Sequence, residues 1–260
     1  MMELNGQPAD PDALKVLALT NFGHFTSMRV DEQRIRGLDL HLERLVRDCR
    51  TVFDTELDPE EIRSYVRRAV EGTNGSFVVR VTIFDPDTEL GHPANAKNPG
   101  VLVTRRPASS STSLPPLRVK SVPYVRDTPA VKHCGLFGSL RARRTAQVAG
   151  FDDALFVSPD DSVSEGGTWN VGFIDEAGTI IWPRAEVLPG VTMALLQQVH
   201  EHTVAPVTLD AARSMQAAFA TNTSIGVRTI SAIDETKLPT EHPTLAALRE
   251  AYFALPGETV

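Results

Sequence analysis

One lysine stands out in segment 130–135, which otherwise carries no residue that is charged at neutral pH. Lys132 lies between the Thr128-Pro129 pair and a helix-like stretch at 136–149. A lysine that is partly removed from water has a lowered pKa, and its neutral amine can attack a carbonyl carbon. The alternative is a solvated lysine that begins a helix, because most lysine side chains stay in water. The local sequence leaves both interpretations open.

Three further stretches contain residue types that bind phosphorylated or heterocyclic groups. Glu165 is followed by two glycines, which let a bound group approach the backbone, and its carboxylate could hold a proton on a ring nitrogen. Gly190 precedes a helix-like stretch whose first amides would suit a phosphate. The polar turn at 221–224 could complete a phosphate or carboxylate site. Each stretch also has an ordinary interpretation, as a turn or as a common helix start.

Two arginines fall in apolar surroundings. Arg80 lies in the strand-like segment 76–84, in which apolar residues occupy both faces, so its guanidinium needs an anionic partner or a water-filled cleft. Arg44 lies at the edge of the apolar stripe of a helix predicted at 38–53. Either arginine could bind an anionic ligand. The alternatives are a structural carboxylate partner for Arg80 and ordinary solvation for Arg44.

Hydrophobic periodicity assigns these residues to a mixture of helices and strands. Apolar residues at three-four spacing predict a helix at 38–53, and His41, Arg44 and Asp48 share another face of it. Strict alternation predicts strands. The sequence predicts helices at 38–53, 59–70, 136–149, 191–202 and 243–254, and strands that include 16–19, 24–30, 76–84, 101–104, 117–122, 153–157, 169–175 and 179–182.

A segment rich in proline, serine and threonine divides the chain. Its composition is typical of a linker. The sequence therefore predicts a small N-terminal domain at 1–105, a linker at 106–116 and a larger C-terminal domain at 117–260.

Composition excludes several classes of protein. Apolar residues make up 42% and charged residues 23% of the chain, as in ordinary globular proteins. The net charge of -7 argues against nucleic acid as a partner. No apolar run reaches the roughly 20 residues of a membrane helix, and the polar N-terminus does not resemble a secretory signal. Cys49 and Cys134 suggest neither a disulfide framework nor a metal site, so we expect a reducing cytoplasm.

Taken in order along the chain, these stretches resemble the class IV aminotransferases. This is the family of pyridoxal-phosphate enzymes of fold type IV that includes branched-chain aminotransferase, D-amino-acid aminotransferase and aminodeoxychorismate lyase. The resemblance covers nearly the whole chain and keeps the order of the family's motifs. It rests on the strand start at 21–27, the His-x-x-Arg-Leu pattern at 41–45, Val79-Arg80, Lys132, and the segments 164–170, 188–192 and 223–224.

The resemblance implies a fold and a set of site residues. The expected fold is α+β, with a small N-terminal α/β domain and a larger C-terminal domain that has a β-rich, barrel-like core. The resemblance also implies that the chain associates as a homodimer. Lys132 would form a Schiff base with pyridoxal 5'-phosphate and act as the catalytic residue. The implied cofactor-binding residues are Arg44, Lys132, Glu165, Asn170, Val191, Thr192 and Thr223, and the implied substrate-binding residues are Arg80, Ser224 and Phe22.

Two departures from the family pattern leave the substrate open. Phe137 stands where the branched-chain enzymes have a tyrosine, and Val78 stands where a tyrosine usually precedes the substrate arginine. Our leading hypothesis is transfer of an amino group between an amino acid or amine and a 2-oxo acid. The alternatives are a lyase of the aminodeoxychorismate type, which would release pyruvate by elimination, and a non-catalytic binder of pyridoxal phosphate or another phosphate. Retention of Lys132 and Glu165 argues against the non-catalytic binder. Donor, acceptor and L- or D-preference are not determined by the sequence.

Overall fold

The chain forms two compact units in a computed structural model that describes residues 1–108 and 114–260. The first unit comprises Met1–Ser109, Val131–Gly135 and Pro256–Val260, and the second comprises Ser110–Ala130 and Leu136–Leu255. The short segment that carries Lys132 thus belongs to the first unit. Residues 109–113 of the predicted linker lie outside the described residues, so the domain bounds predicted from the sequence stay a prediction.

An antiparallel sheet is the framework of the first unit. Residues 24–31 of one strand pair with residues 76–83 of its neighbour without interruption. Its strands are β1 (Met2–Leu4), β2 (Gln7–Pro8), β3 (His24–Asp31), β4 (Arg34–Ile35), β5 (Ser76–Phe84), β6 (Gly100–Pro107) and β16 (Glu258–Thr259). Their order across the sheet is β16-β4-β3-β5-β6-β1-β2.

Helices α2 (Leu38–Phe53) and α3 (Pro59–Val70) pack against this sheet and confirm the predicted helices. The apolar stripe of α2 is buried with apolar residues from β3, β5 and α3 in one core. Glu258 accepts the first amide of α2, the Leu38 N–H, at 2.8 Å. The second face of α2, which carries His41, is also buried in the interior of the unit.

The strand predicted at 16–19 is wrong, because these residues lie in helix α1 (Pro11–Thr20). The carboxylate of Asp10 accepts the Asp12 N–H at 3.0 Å and caps the helix, and Pro11 suits the first helical position. Leucine and alanine are also good helix formers, so a four-residue apolar run does not distinguish a strand from a helix. A short 3-10 helix, Pro93–Asn95, completes the regular structure of this unit.

Six strands close into a barrel in the second unit. The strands of this unit are β7 (Leu117–Pro123), β8 (Asp153–Val157), β9 (Val163–Gly166), β10 (Asn170–Ile174), β11 (Ile180–Pro183), β12 (His202–Ala205), β13 (Ala217–Asn222), β14 (Gly226–Ile233) and β15 (Thr236–Lys237). The ring runs β10-β13-β14-β7-β8-β9, and the pair Glu165–Asn170 closes it by joining β9 to β10. Two further strands extend from β10 and one from β14. This closure confirms the expected α+β fold with a barrel-like core.

Four helices accompany the barrel in the part of the second unit that the structure describes. The helix predicted at 191–202 ends earlier, at Val199, and His202 begins a strand that runs parallel to β11. Among the described residues, no helix combines the length and the apolar character needed to cross a membrane. The helices of this unit are α4 (Phe137–Val148), α5 (Val191–Val199), α6 (Leu209–Ser214) and α7 (Pro243–Ala254).

Candidate active site

The backbone of Lys132 is held on both sides within the first unit. Its N–H donates to Asp48 Oδ2 at 2.9 Å, and its carbonyl accepts the Phe25 N–H at 2.9 Å. The Cys134 N–H donates to the Gly23 carbonyl at 2.8 Å. The segment therefore lies along the start of β3 like an added strand, and the Lys132 side chain is half-buried. The partial desolvation that a nucleophilic lysine needs is present.

Arg44 is an almost fully buried arginine on the inner face of α2. Its side chain is 5% exposed, donates to Thr26 Oγ1, and lies 3.3 Å from His41 Nδ1. Its Nε has no hydrogen-bond partner among the described residues. Burial lowers the pKa of Arg44 to about 10, while the nearby Asp48 acts in the opposite direction. A buried guanidinium with an unused donor fits an anion such as the phosphate of the implied cofactor.

His41 and Thr26 support this arginine, and sequence reasoning did not assign them to the site. Thr26 Oγ1 and His41 Nδ1 lie 2.6 Å apart. Burial, followed by the charges of Arg44 and Lys132, holds the pKa of His41 well below its usual value. The ring is therefore neutral and can accept a hydrogen bond. The three-residue spacing between His41 and Arg44 was the sequence signal that these two side chains lie on the same face of α2.

Arg80 stacks on a side chain that the sequence did not single out. Its guanidinium carbon lies 3.6 Å from the centroid of the Phe25 ring, and its Nε donates to Thr82 Oγ1 at 3.1 Å. The Nζ of Lys132 lies 5.0 Å from the same centroid. The ring thus holds two cations near each other, which is a favourable place for a carboxylate. Phe22 instead packs edge-on against Phe53, with 5.5 Å between ring centroids.

Glu165 forms a buried ion pair in the second unit. Its Oε1 lies 3.3 Å from Arg126 Nη1, and the two side chains are 6% and 10% exposed. Its Oε2 accepts the Leu188 N–H at 3.3 Å. Arg126 supplies the counter-charge that a buried carboxylate requires. Sequence reasoning missed Arg126, because no local pattern connects it to a residue 39 positions away.

Asn170 fixes the segment that leads into α5. Its Nδ2 donates to the Leu188 carbonyl at 2.8 Å, so Glu165 and Asn170 bind the two ends of the same residue's backbone. A Cβ at Gly190 would overlap Asn170 Oδ1, so this close approach requires glycine. In the structure Asn170 is a positioning residue, and its predicted contact with the cofactor stays a prediction.

The start of α5 offers backbone amides to an anion. Gly190 caps the helix without a side-chain hydrogen bond, and the first helical bond is donated by Ala194. The amides of Val191 and Thr192 belong to the first turn, where an α-helix has no internal acceptor for them. Both residues are buried. A buried helix start of this kind fits a phosphate.

The turn after β13 carries the two remaining predicted residues. Asn222 Oδ1 accepts the N–H groups of Ser224 and Ile225 at 2.8 and 3.0 Å and so shapes the turn. Thr223 is half-buried and Ser224 is exposed. The structure therefore keeps both hydroxyl-bearing residues on a turn whose shape is set by a neighbouring amide.

Phe137, which stands at the family's tyrosine position, is the first residue of α4 and is 79% exposed. The next residue, Gly138, packs directly against the Tyr124 ring. No hydroxyl is supplied at position 137, as the sequence indicates.

Within each unit the structure brings a group of predicted residues together. In the first unit, Arg44, Arg80 and Lys132 gather around β3 and α2. In the second unit, Glu165 and Asn170 meet at Leu188, directly before the start of α5.

Comparisons with known proteins show the family of this chain and the fold that it shares with solved structures. The model of the amino-transferase class IV family matches residues 23–233. The fold resembles a branched-chain aminotransferase from Thermoproteus uzoniensis solved with norvaline, with a TM-score of 0.86 and 19% identity over 97% of this chain and 93% of that chain. No curated protein sequence gives a significant match.

Two other solved structures show the same likeness of fold. The T.th. branched-chain amino acid aminotransferase, complexed with N-(5'-phosphopyridoxyl)-L-glutamate, has a TM-score of 0.84 and 22% identity over 97% of this chain and 92% of that chain. A hypothetical aminotransferase from Mycobacterium tuberculosis in its PLP-bound form has a TM-score of 0.83 and 18% identity over 98% of both chains. Because the family model covers most of the sequence, this chain belongs to the class IV aminotransferase family.

Proposed function

We propose that this protein is a pyridoxal-phosphate-dependent aminotransferase that moves an amino group between an amino acid or amine and a 2-oxo acid. The observation that carries the proposal is the placement of Lys132. Its backbone is held at both its N–H and its carbonyl, the residue is half-buried, and its Nζ lies 5.0 Å from the Phe25 ring centroid. A lysine held in this way is suited to bond to the aldehyde carbon of the cofactor.

The cofactor would be held by complementary charge. In the first unit, the residue that the family resemblance implies for the phosphate is Arg44, whose Nε–H would donate to an anion. In the second unit the implied residues are Val191 and Thr192, through their amides, and Thr223, through its hydroxyl. Glu165, with Arg126 as its counter-charge, would hold the proton on the pyridine nitrogen. When bound, the cofactor supplies an electron-accepting ring next to the substrate α-carbon.

Residues of the chain would bind the substrate and move its proton. Arg80, stacked on Phe25, would bind the substrate carboxylate by a charge-assisted hydrogen bond. Once the amino group of the substrate displaces it from the cofactor, Lys132 Nζ would move the proton between the substrate α-carbon and the C4' atom of the cofactor. His41 and Thr26 would keep the Arg44 guanidinium in place.

The related structures support an amino-acid substrate. One was solved with norvaline and another with a phosphopyridoxyl derivative of L-glutamate. We extend this chemistry to the present chain as a proposal, with the individual donor and acceptor left to experiment. Association as a homodimer in the cytoplasm belongs to the same proposal. Two buried free thiols, Cys49 and Cys134, are compatible with a reducing compartment.

A lyase is the second candidate, and one observation favours it. Position 137 carries an exposed phenylalanine and therefore no hydroxyl group. Aminodeoxychorismate lyases can also lack the tyrosine at this position, although the Arg-Gly-rich loop of those lyases is absent after Arg80. Elimination would use the same Lys132 amine as the proton carrier and would release pyruvate.

The test starts with the purified protein and pyridoxal phosphate. We expect a visible absorption band that borohydride removes, with the reduced label on the peptide that contains Lys132. Lys132→Ala should lose the label and turnover, whereas Lys97→Ala, which changes an exposed lysine, should keep both. A panel of amino donors with 2-oxo acids, and a separate assay for pyruvate from aminodeoxychorismate, then separates transfer from elimination. A protein that never acquires the band would overturn both enzyme assignments.

A further inference from the structure

The inner face of α2 carries a buried carboxylate that has no assigned role. His41, Arg44 and Asp48 follow one another at three- and four-residue spacing, and all three are buried. Asp48 is fully buried, so its negative charge is held away from water. A carboxylate in such a position is destabilising unless its oxygens are hydrogen-bonded and its charge is balanced.

Both oxygens of Asp48 are used. Oδ2 accepts the backbone N–H of Lys132 at 2.9 Å. Oδ1 accepts from Arg47, at 3.1 Å for Nε and 2.7 Å for Nη2. The charge of Asp48 also acts on Arg44, whose pKa it raises against the effect of burial. One side chain thus interacts with the proposed cofactor lysine and with the proposed phosphate-binding arginine.

The contact with Asp48 differs in kind from the other bonds of the lysine segment. Phe25 binds Lys132, and Gly23 binds Cys134, through backbone atoms, which substitutions other than proline leave in place. The bond from the Lys132 N–H to Asp48 is the one of these three that a side chain provides. It spans 84 residues of sequence and fixes the lysine to the helix that carries Arg44.

We propose that Asp48 is a positioning residue that fixes the backbone of Lys132 relative to Arg44, so that the lysine amine is directed at the cofactor. The inference rests on the proposed function, in which Lys132 bonds to the cofactor. Asp48 acts through Lys132 and Arg44 and does not itself touch the reacting atoms.

The first measurement is hydrogen exchange of the Lys132 amide in the cofactor-free protein. Asp48→Ala leaves this amide without its acceptor, and we expect its exchange to become about tenfold faster or more. Glu43→Ala, which removes an exposed carboxylate from the same helix, should leave the rate unchanged. Faster exchange at Lys132 together with unchanged exchange in β5 supports a local positioning role. Equal acceleration in both places, or none at Lys132, overturns it.

The second measurement is the rate at which borohydride traps pyridoxal phosphate on Lys132. We expect trapping to be about tenfold slower in Asp48→Ala than in the wild type. In steady-state kinetics, Asp48→Ala should have a lower kcat, while its KM for the amino donor should stay within about twofold of the wild-type value. Asp48→Asn keeps one oxygen acceptor and should recover part of the amide protection and of the trapping rate. Trapping by Asp48→Ala at the wild-type rate would contradict the proposal.

One further variant and the wild-type control keep the outcome decisive. If Asp48→Ala does not fold, Asp48→Ser, whose hydroxyl is too short to reach the Lys132 amide, replaces it with the same expected results. If the wild type itself shows no label on Lys132, the proposed function fails. If the wild type is labelled but the Asp48 variants match it in exchange and trapping, only the positioning role of Asp48 fails.

Discussion

The guanidinium of Arg80 and the ring of Phe25 form a close stack, with 3.6 Å between the guanidinium carbon and the ring centroid. Thr82 Oγ1 accepts the Arg80 Nε–H from the same strand, which fixes the side chain further. The neighbouring Lys132 amine lies over the same ring. A strand arginine in apolar surroundings is thereby oriented next to the proposed reactive amine, and no salt bridge to a carboxylate is found for it among the described residues.

Arg80→Ala should weaken substrate binding. Loss of a charge-assisted hydrogen bond to a carboxylate predicts an increase of about 10- to 100-fold in the KM for a 2-oxo acid, with a smaller change in kcat. Phe25→Leu should act in the same direction but less strongly, because it removes only the stacking partner. Steady-state kinetics with varied acceptor measures both effects. Arg106→Ala changes an exposed arginine and should behave as wild type. An unchanged KM in Arg80→Ala would refute the substrate role.

Glu165→Gln tests the negative charge of Glu165, because glutamine has nearly the same shape but no charge. The amide keeps an oxygen for the Leu188 N–H but removes the negative charge, so we expect kcat to fall by about 100-fold. The melting temperature should also fall, because Arg126 is left buried without its counter-charge. Adding Arg126→Met should recover part of the stability and none of the activity. Wild-type turnover in Glu165→Gln would show that this carboxylate is not needed for the reaction.

Acid should destabilise the protein through His24. Burial, followed by the charges of Arg44 and Arg47, lowers the pKa of His24 from 6.5 to about 3. Below pH 6.5 the unfolded state binds a proton at His24, whereas the folded state keeps His24 neutral. The free energy of unfolding is therefore highest above pH 6.5, and it falls as the pH is lowered from 6.5 toward 3. The loss from His24 alone is about 2 kcal/mol between about pH 6.5 and about pH 5.

Urea unfolding at about pH 7.5 and about pH 5 measures this effect. His24→Leu removes the titrating group. Between these two pH values, the free energy of unfolding of His24→Leu should therefore fall by about 2 kcal/mol less than that of the wild type. His92→Gln, which changes an exposed histidine, should keep the wild-type pH dependence. Equal losses in His24→Leu and the wild type would show that His24 is not the source.

Gly190→Ala should disturb the proposed phosphate site. The added methyl group would overlap Asn170 Oδ1, so either the amide of Asn170 or the start of α5 must move. We expect the Kd for pyridoxal phosphate to rise by about tenfold or more, since a displaced helix start loses hydrogen bonds to the phosphate. Gly91→Ala is the matched control, because a Cβ there meets no atom within 4 Å. A cofactor titration that gives equal Kd values for the two variants would contradict this role of the loop.

The sequence by itself determined those features that depend on neighbouring residues. The three-four spacing in 38–53 identified α2, the Asp58-Pro59 start identified α3, and the order of the motifs identified the family. The apolar run at 16–19 led to a wrong strand prediction, because residues of these types occur in both strands and helices. The cap that Asp10 provides favours the helix. Local periodicity is readable because it reflects geometry within a few residues.

Only the tertiary structure decided which distant groups meet. Asp48 binds the backbone of Lys132 across 84 residues, Arg126 pairs with Glu165 across 39, and β9 closes the barrel against β10 through one residue pair. A carboxylate buried at one position is stable only because a donor from elsewhere in the chain reaches it. No local spacing encodes such a match, because it depends on how the whole core packs. The order of the motifs in the sequence is therefore enough to predict Lys132 as the cofactor lysine, whereas the residue that binds its backbone N–H is visible only in the fold.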